Sequence, residues 1–203
     1  YYIMSERTLR SSTNNQKQKV SKPIKNSEGK SKKENLKTKI EKKMETIELK
    51  LSDIVLEDDS GRSYNIENDI IKAGKPTLIF AYPKASTPGC TKQAQGFRDF
   101  YKLLTETDKI STKDFQIFGL SNDTIKAQLN FKQKHEFQFP LLSDPERKLI
   151  SYLKADKNEK TGTIRSHWVW DRNGVLRYEH VAVSPDVSLE KGKEELKELI
   201  NEK

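Results

Sequence analysis

The change of hydrophobic pattern between residues 77 and 104 limits the fold of this chain more than any other feature. Thr77–Tyr82 is an almost continuous apolar run, which is typical of a buried β-strand. Further along, large apolar side chains recur at the spacing of one helix face, at Phe97, Phe100, Tyr101 and Leu104. A buried strand that leads into an amphipathic helix predicts a layered α/β domain.

The loop between this strand and this helix holds the only cysteine of the chain, Cys90. Thr87 is a favourable N-cap residue and Pro88 suits the first helical position, so Cys90 is predicted to lie in the first turn. Free backbone N–H groups and the helix dipole favour an anion there, which turns a thiol into a nucleophilic thiolate. A lone cysteine is more often a small buried apolar residue, but such a residue has no need of the preceding Thr-Pro-Gly.

The rest of the chain after residue 46 predicts strands and helices in alternation. Their predicted bounds are a hairpin over Ile54–Ile66 with its turn at Asp58–Gly61, a strand at Gln116–Leu120, a helix at Thr124–Lys134, a short helix at Glu146–Tyr152, a second hairpin of Ser166–Trp170 and Leu176–Val183 around Asp171–Gly174, and a closing helix from Ser188, its N-cap, to Ile200. This order predicts an α/β fold with a central mixed sheet.

Three segments carry distinctive patterns: Tyr82–Gln93 contains Pro-x-x-x-Thr-x-x-Cys, Gly162–Trp170 contains Arg165 just before a predicted strand, and Leu141–Pro145 precedes a predicted short helix. In this order they resemble the active-site signature, the arginine-bearing strand and the loop before the short helix of the peroxiredoxins. The resemblance runs from about Ile47 to the C-terminus. Among the peroxiredoxins, the chain most resembles the peroxiredoxin Q or bacterioferritin comigratory protein branch. Within that branch it resembles the nuclear thiol peroxidases of yeasts. It implies a thioredoxin-like fold for residues 46–203, with helices flanking the central mixed sheet.

The resemblance also implies roles for four residues. Cys90 is the nucleophile that attacks a peroxide oxygen, and the Thr87 hydroxyl orients the peroxide. Pro83 shields the sulfur from water, while Arg165 stabilises the thiolate and the polarised oxygens. A planar, permanently charged guanidinium can donate to two atoms at once, which suits that task. Taken alone, Arg165 is more simply a surface arginine, and its flanking residues, Ile164 and Ser166–Val169, favour the catalytic interpretation.

The chain departs from this branch at Gln95, where relatives commonly carry a second, resolving cysteine. With no other cysteine in the chain, oxidised Cys90 is a sulfenic acid that only an external thiol can reduce. The predicted function is therefore a one-cysteine thiol peroxidase. It acts on hydrogen peroxide and alkyl hydroperoxides, with thioredoxin or glutathione as reductant. The alternative is a nuclear or nucleic-acid-associated binding protein that keeps the fold but has lost turnover.

The three histidines offer weaker signals. His167 lies two residues after Arg165 on a predicted strand, and alternate residues share a face, so it could line the same pocket. A Cys–His hydrolase pair of Cys90 with His135, His167 or His180 lacks a local protease signature. The sequence shows no metal-ligand spacing and no Gly-rich phosphate loop, so we predict neither a metal nor a cofactor.

The net charge of the chain is concentrated at its N-terminus. Residues 1–45 hold 13 Lys and Arg against 5 Asp and Glu, which accounts for the whole net charge of +8. With few large apolar residues, this segment is predicted to be a disordered basic tail. It indicates a nuclear protein, with a cytoplasmic one as the alternative, and weak contact with nucleic acid. A purely solubilising tail is the simpler interpretation. We also expect no membrane association and a monomer.

Overall fold

A computed structural model describes residues 49–158 and 162–202 of the chain. The predicted basic tail, residues 1–45, lies outside these described residues. Within them, the strands are β1 (Val55–Asp58), β2 (Ser63–Asn65), β3 (Thr77–Ala81), β4 (Gln116–Ser121), β5 (Leu141–Ser143), β6 (Ser166–Trp170) and β7 (Leu176–Val181). The α-helices are α1 (Pro88–Lys102), α2 (Ile125–His135), α3 (Lys148–Tyr152) and α4 (Pro185–Asn201). One 3-10 turn, Leu51–Asp53, and two π-helical segments, Ile66–Ile71 and Leu103–Thr107, complete the elements.

The strands form one mixed sheet in the order β2-β1-β5-β4-β3-β6-β7. Strands β3, β4 and β5 run parallel, and the remaining neighbours pair antiparallel. Both predicted hairpins are present, as β1–β2 and β6–β7. The predicted α/β architecture with a central mixed sheet is therefore confirmed.

The central strand β3 is buried on both faces, which explains its continuous apolar sequence. Leu78 and Phe80 belong to a core cluster that includes residues of α1, α2 and α4. Ile79 and Ala81 point to the opposite face, where they belong to a second cluster that includes α3 and the β1–β2 region. Helices on both faces of the sheet hold the β3–α1 junction in place. None of the helices in the described part of the chain is both long and apolar enough to cross a bilayer.

The closing helix begins earlier than the sequence predicts. Helix α4 starts at Pro185, and Ser184 is its N-cap, accepting a hydrogen bond from the backbone N–H of Val187. The predicted cap, Ser188, is a buried residue inside the helix. The assignment of Ser188 was wrong because Ser184-Pro185 supplies both a capping hydroxyl and a proline at the first helical position.

The segment Leu141–Ser143, expected to be a loop, is the short strand β5. It pairs in parallel with β4, and Ser143 and Leu142 pair with β1. Three residues give too short a pattern for a strand to be recognised locally. The nearby helix α3 begins at Lys148 rather than at Glu146, after Arg147 in a left-handed conformation with φ 56°.

Candidate active site

Cys90 lies in the first turn of α1 and is almost completely buried, with 1% of its surface exposed. Thr87 occupies the N-cap position with extended backbone angles, and Pro88 begins the helix, as predicted. The Thr87 side chain does not cap the helix, however, because its hydroxyl donates to the carbonyl of Lys84 at 3.0 Å. The Thr87 hydroxyl is therefore not an acceptor for the first-turn N–H groups, which lie beside a buried sulfur.

Arg165 reaches this sulfur from just before β6. Its Nη2 donates to the Cys90 Sγ at 3.4 Å. A Cβ added at Gly89 would lie 3.3 Å from the same Nη2 atom, which is a tight contact for a Cβ. Glycine at this position therefore leaves room for the guanidinium. The fold brings Arg165 and Cys90 together across 75 residues, as the resemblance implies.

A buried glutamine orients the other end of the guanidinium. Arg165 Nη1 donates to the Gln93 Oε1, and the Gln93 Nε2 donates to the hydroxyl of Ser188 on α4 at 2.8 Å. Both Gln93 and Ser188 are fully buried. They form a line of contacts from α4 to the sulfur. Sequence reasoning missed them, although Gln93 follows Cys90 by three residues and so shares its helix face.

The loop before α1 is anchored by polar contacts from the segment after β4 and from α2. The Ala85 N–H donates to Asp123 Oδ2 at 2.7 Å, and this oxygen also accepts from the Ser121 hydroxyl at 2.8 Å. Tyr82 at the start of the loop donates to a buried glutamine, Gln128, and burial raises the pKa of Tyr82 above its ordinary value. Pro83 is exposed beside it, and its shielding of the sulfur stays a prediction.

Gln95, at the resolving position, links α1 to the end of α2. Its Nε2 lies 3.2 Å from the Nδ1 of His135, and Arg98 Nη1 donates to the His135 carbonyl at 3.1 Å. Partial burial lowers the pKa of His135, with nearby Lys134 adding to the effect. The middle of α1 is therefore tied to a neighbouring helix by an amide, where relatives are expected to carry a thiol.

His167 does not join the Cys90 pocket through its polar atoms. It is fully buried, and its Nε2 lies 3.1 Å from the Oε2 of Glu195 on α4. Burial lowers the pKa of His167 to about 3. Among the described residues, the side chain that hydrogen-bonds to Cys90 is Arg165 rather than a histidine. This arrangement does not support a Cys–His hydrolase pair.

The arrangement has the parts needed for nucleophilic attack by sulfur. A buried thiol faces a permanent positive charge and the start of a helix, both of which favour a developing anion. The guanidinium keeps a fixed orientation because a second buried side chain holds it. A small substrate that bears two adjacent oxygens could receive bonds from the same donors.

Comparisons with known proteins agree with this geometry. The sequence model of the AhpC/TSA family matches residues 41–179. The chain is 45% identical over 142 residues to peroxiredoxin bcp1 of Schizosaccharomyces pombe. This alignment covers 70% of this chain and 69% of that protein. It is 35% identical over 139 residues to peroxiredoxin Bcp of Bacillus subtilis, covering 64% of this chain and 83% of that protein.

A solved structure shares the fold. The bacterioferritin comigratory protein of Xanthomonas campestris, studied for its alkyl peroxide reduction activity, superposes with a TM-score of 0.62 at 28% identity. The alignment covers 74% of this chain and 94% of that chain. The thioredoxin-like fold implied by the sequence resemblance is confirmed.

Proposed function

This chain belongs to the AhpC/TSA family, in its peroxiredoxin Q and bacterioferritin comigratory protein branch, and is a thiol peroxidase; we propose that it works with Cys90 as its single redox cysteine. The observation that carries the proposal is the 3.4 Å contact between Arg165 Nη2 and the Cys90 Sγ at the start of α1. The substrates are hydrogen peroxide and alkyl hydroperoxides. The alternative of a binding protein without turnover gains no support from the comparisons.

The first step is attack of the Cys90 thiolate on one peroxide oxygen. The S–O bond forms while the O–O bond breaks, and the sulfur is oxidised to a sulfenic acid. The leaving oxygen departs as hydroxide or alkoxide and takes up a proton to give water or an alcohol. Arg165 stabilises charge on both the sulfur and the oxygens, because its fork offers more than one donor.

Thr87 and Pro83 shape the approach to the sulfur. The Thr87 hydroxyl donates its hydrogen bond to the Lys84 carbonyl at 3.0 Å. Its oxygen lone pairs remain available to accept a hydrogen bond from the O–H of a peroxide. This fixes which oxygen faces Cys90. Pro83 lies near the start of the loop and has no N–H to donate. It limits access of water to the Cys90 sulfur.

The oxidised cysteine is reduced by an external thiol. The incoming thiol attacks the sulfenic sulfur and releases water, which leaves a mixed disulfide, and a second thiol then releases Cys90. The reductant is thioredoxin or glutathione. Cys90 is 1% exposed, so the first turn of α1 has to open before a protein thiol can reach it. The enzyme acts as a monomer.

The direct test is the mass of Cys90 after brief exposure to one equivalent of peroxide. We expect the folded chain to gain one oxygen within the mixing time, while the same chain unfolded in urea reacts at the rate of a small thiol. Adding dimedone identifies the product as sulfenic acid. Equal rates for the folded and unfolded chains would refute the proposal.

The net charge supports a nuclear location, with a cytoplasmic one as the alternative. The excess of 13 Lys and Arg over 5 Asp and Glu lies in residues 1–45, outside the described residues. Clustered lysines attract phosphates without regard to sequence. We assign to this segment nuclear enrichment and weak nucleic-acid contact, and no part in peroxide reduction.

A further inference from the structure

His167, His180 and Glu195 form a cluster that peroxide reduction does not use. The two histidines are directly paired across β6 and β7, and their rings stack with centroids 4.6 Å apart. Glu195 on α4 contacts both of them. Its Oε2 lies 3.1 Å from the His167 Nε2, and its Oε1 lies 2.6 Å from the His180 Nε2.

The cluster is largely withdrawn from water. His167 is 0% exposed and Glu195 is 7% exposed, whereas the side chain of His180 is 26% exposed. The second ring nitrogen of His167, Nδ1, is buried with no hydrogen-bond partner among the described residues. The hydrogen bonding of this imidazole is thus confined to Glu195. Burial of the unpaired Nδ1 costs folding free energy, so the position of His167 is not explained by hydrogen bonding alone.

We propose that these three residues bind a divalent transition metal ion of the zinc class. Imidazole nitrogens and a carboxylate are the ligands that such ions prefer. The three ligand atoms lie within 4.8 Å of one another. Tetrahedral Zn²⁺ with bonds of about 2.0–2.2 Å separates its ligand atoms by roughly 3.3 Å. Small side-chain shifts therefore suffice to surround an ion.

The surroundings fit an open site rather than a closed one. Three protein ligands leave a fourth position for water or another small ligand, and partly exposed His180 provides a path from solvent. The two histidines come from paired strands, which fixes their spacing, and Glu195 adds a helix. A bound ion would fasten α4 to β6 and β7.

The cluster lies outside the active site but on two elements, α4 and β6, that also support it. Helix α4 also carries Ser188, the partner of Gln93, and β6 begins directly after Arg165. An ion would stabilise both elements in the folded state, because a ligand that binds only the native chain raises its stability. The proposal does not depend on the peroxidase function, and its test does not measure activity.

The test is titration of the full, metal-free and reduced chain with Co²⁺ and then Zn²⁺. We expect one equivalent of Co²⁺ to bind with the visible absorption of a low-coordinate ion, and Zn²⁺ to displace it. His180→Gln should lose this binding. His135→Gln is the matched control, since His135 is the only histidine outside the cluster, and it should bind as the unchanged chain does. Cys90→Ser should also keep the site.

Melting temperature supplies the second measurement. Zn²⁺ should raise the melting temperature of the unchanged chain and of His135→Gln, but not that of His180→Gln, whose fold is checked by circular dichroism without metal. If His180→Gln does not fold, Glu195→Gln replaces it. Absence of saturable binding, undiminished binding in the cluster variant, or an equal loss in His135→Gln would overturn the proposal.

Discussion

Arg165 connects two different neighbours, and this explains why its side-chain shape matters as well as its charge. One terminal nitrogen contacts the Cys90 sulfur, and the other contacts a buried amide oxygen on Gln93. A flexible ammonium has the charge but lacks the planar fork. The contact with Cys90 stabilises negative charge on the sulfur, and the contact with Gln93 fixes the position of the guanidinium.

Arg165→Lys should lower the second-order rate of Cys90 oxidation by about 10²- to 10³-fold, the usual loss when one oriented donor to a developing anion is removed. Stopped-flow fluorescence with hydrogen peroxide measures this rate. Arg177→Lys is the control, because Arg177 forms an exposed ion pair with Glu202, and such pairs contribute little. Equal rates for Arg165→Lys and the control would contradict the role of the guanidinium.

Gln93 is a positioning residue for the same guanidinium. Gln93→Leu removes the acceptor for Arg165 and the donor to Ser188, so we expect the oxidation rate to fall by up to about 100-fold, as small misplacements of a reacting group can cost. Gln93→Glu keeps an acceptor and should recover most of the rate. Gln116→Leu, which loses contacts with Ile70 and Thr77, should reduce stability without slowing oxidation. A rate loss that only parallels stability loss in all three would count against positioning.

At the residue scale, the sequence indicates the reacting group but not the residues that support it. Thr87, Cys90 and Arg165 belong to segments whose order of residue types is distinctive. Gln93 and Ser188 are common polar residues, and their burial depends on helix α4 packing against α1. That packing joins parts of the chain 95 residues apart, so no local pattern reveals it.

At the scale of elements, helix α1 has to open at one end for a reductant while it stays packed against α2 further along. Its first turn holds Cys90, which a reductant has to reach, while its middle part is tied to α2 through Gln95, Arg98 and His135. Cysteines five residues apart on an intact helix point in different directions and cannot form a disulfide. With an amide at position 95, the chain gains nothing from unwinding this helix to make an internal bond.

Gln95→Cys tests this property of α1. After one equivalent of peroxide we expect an internal disulfide with Cys90 that forms more slowly than the sulfenic acid, because α1 has to unwind first. Mass spectrometry without reductant follows both species, and a low concentration of guanidinium should speed the crosslink. Gln95→Ser, which also loses the His135 contact, is the control and should stop at the sulfenic acid. A disulfide that forms as fast as the sulfenic acid, with no loss of helical circular dichroism, would show that unwinding is not needed.

Element types were easier to predict than element ends. Both hairpins, the β3–α1 unit and the order of later helices follow from local pattern and turn residues. The start of α4 was misplaced because Ser184 and Ser188 are equally good caps by residue type, and only the proline after Ser184 distinguishes them. Strand β5 was missed because its three residues become a strand through pairing with β4 and β1.

For the whole molecule, the sequence predicts a mixed sheet but not its strand order. The position of β5 between β1 and β4 joins segments far apart in the chain, and local hydrophobic pattern has no information on such pairing. The cluster of His167, His180 and Glu195 was hidden for the same reason. Its residues are spread over 29 positions, from 167 to 195, and only the β6–β7 register and α4 bring them together.

The uneven charge of the whole chain leads to a prediction for residues 1–45. Deleting them removes the entire net charge of +8, so we expect loss of nuclear enrichment and of DNA retention at low salt, with the oxidation rate of Cys90 unchanged. Fluorescence ratios of nucleus to cytoplasm and salt-dependent DNA retention measure the first two. Enrichment is the relevant quantity, because a chain of this size can diffuse into the nucleus.

A full-length control with Lys30, Lys32 and Lys33 changed to Gln separates charge from length, and it should lose both properties in part. DNA binding should weaken steeply with salt, since it arises from released counterions. Equal enrichment with and without the segment would refute targeting, and salt-insensitive binding would assign DNA contact to the folded domain instead.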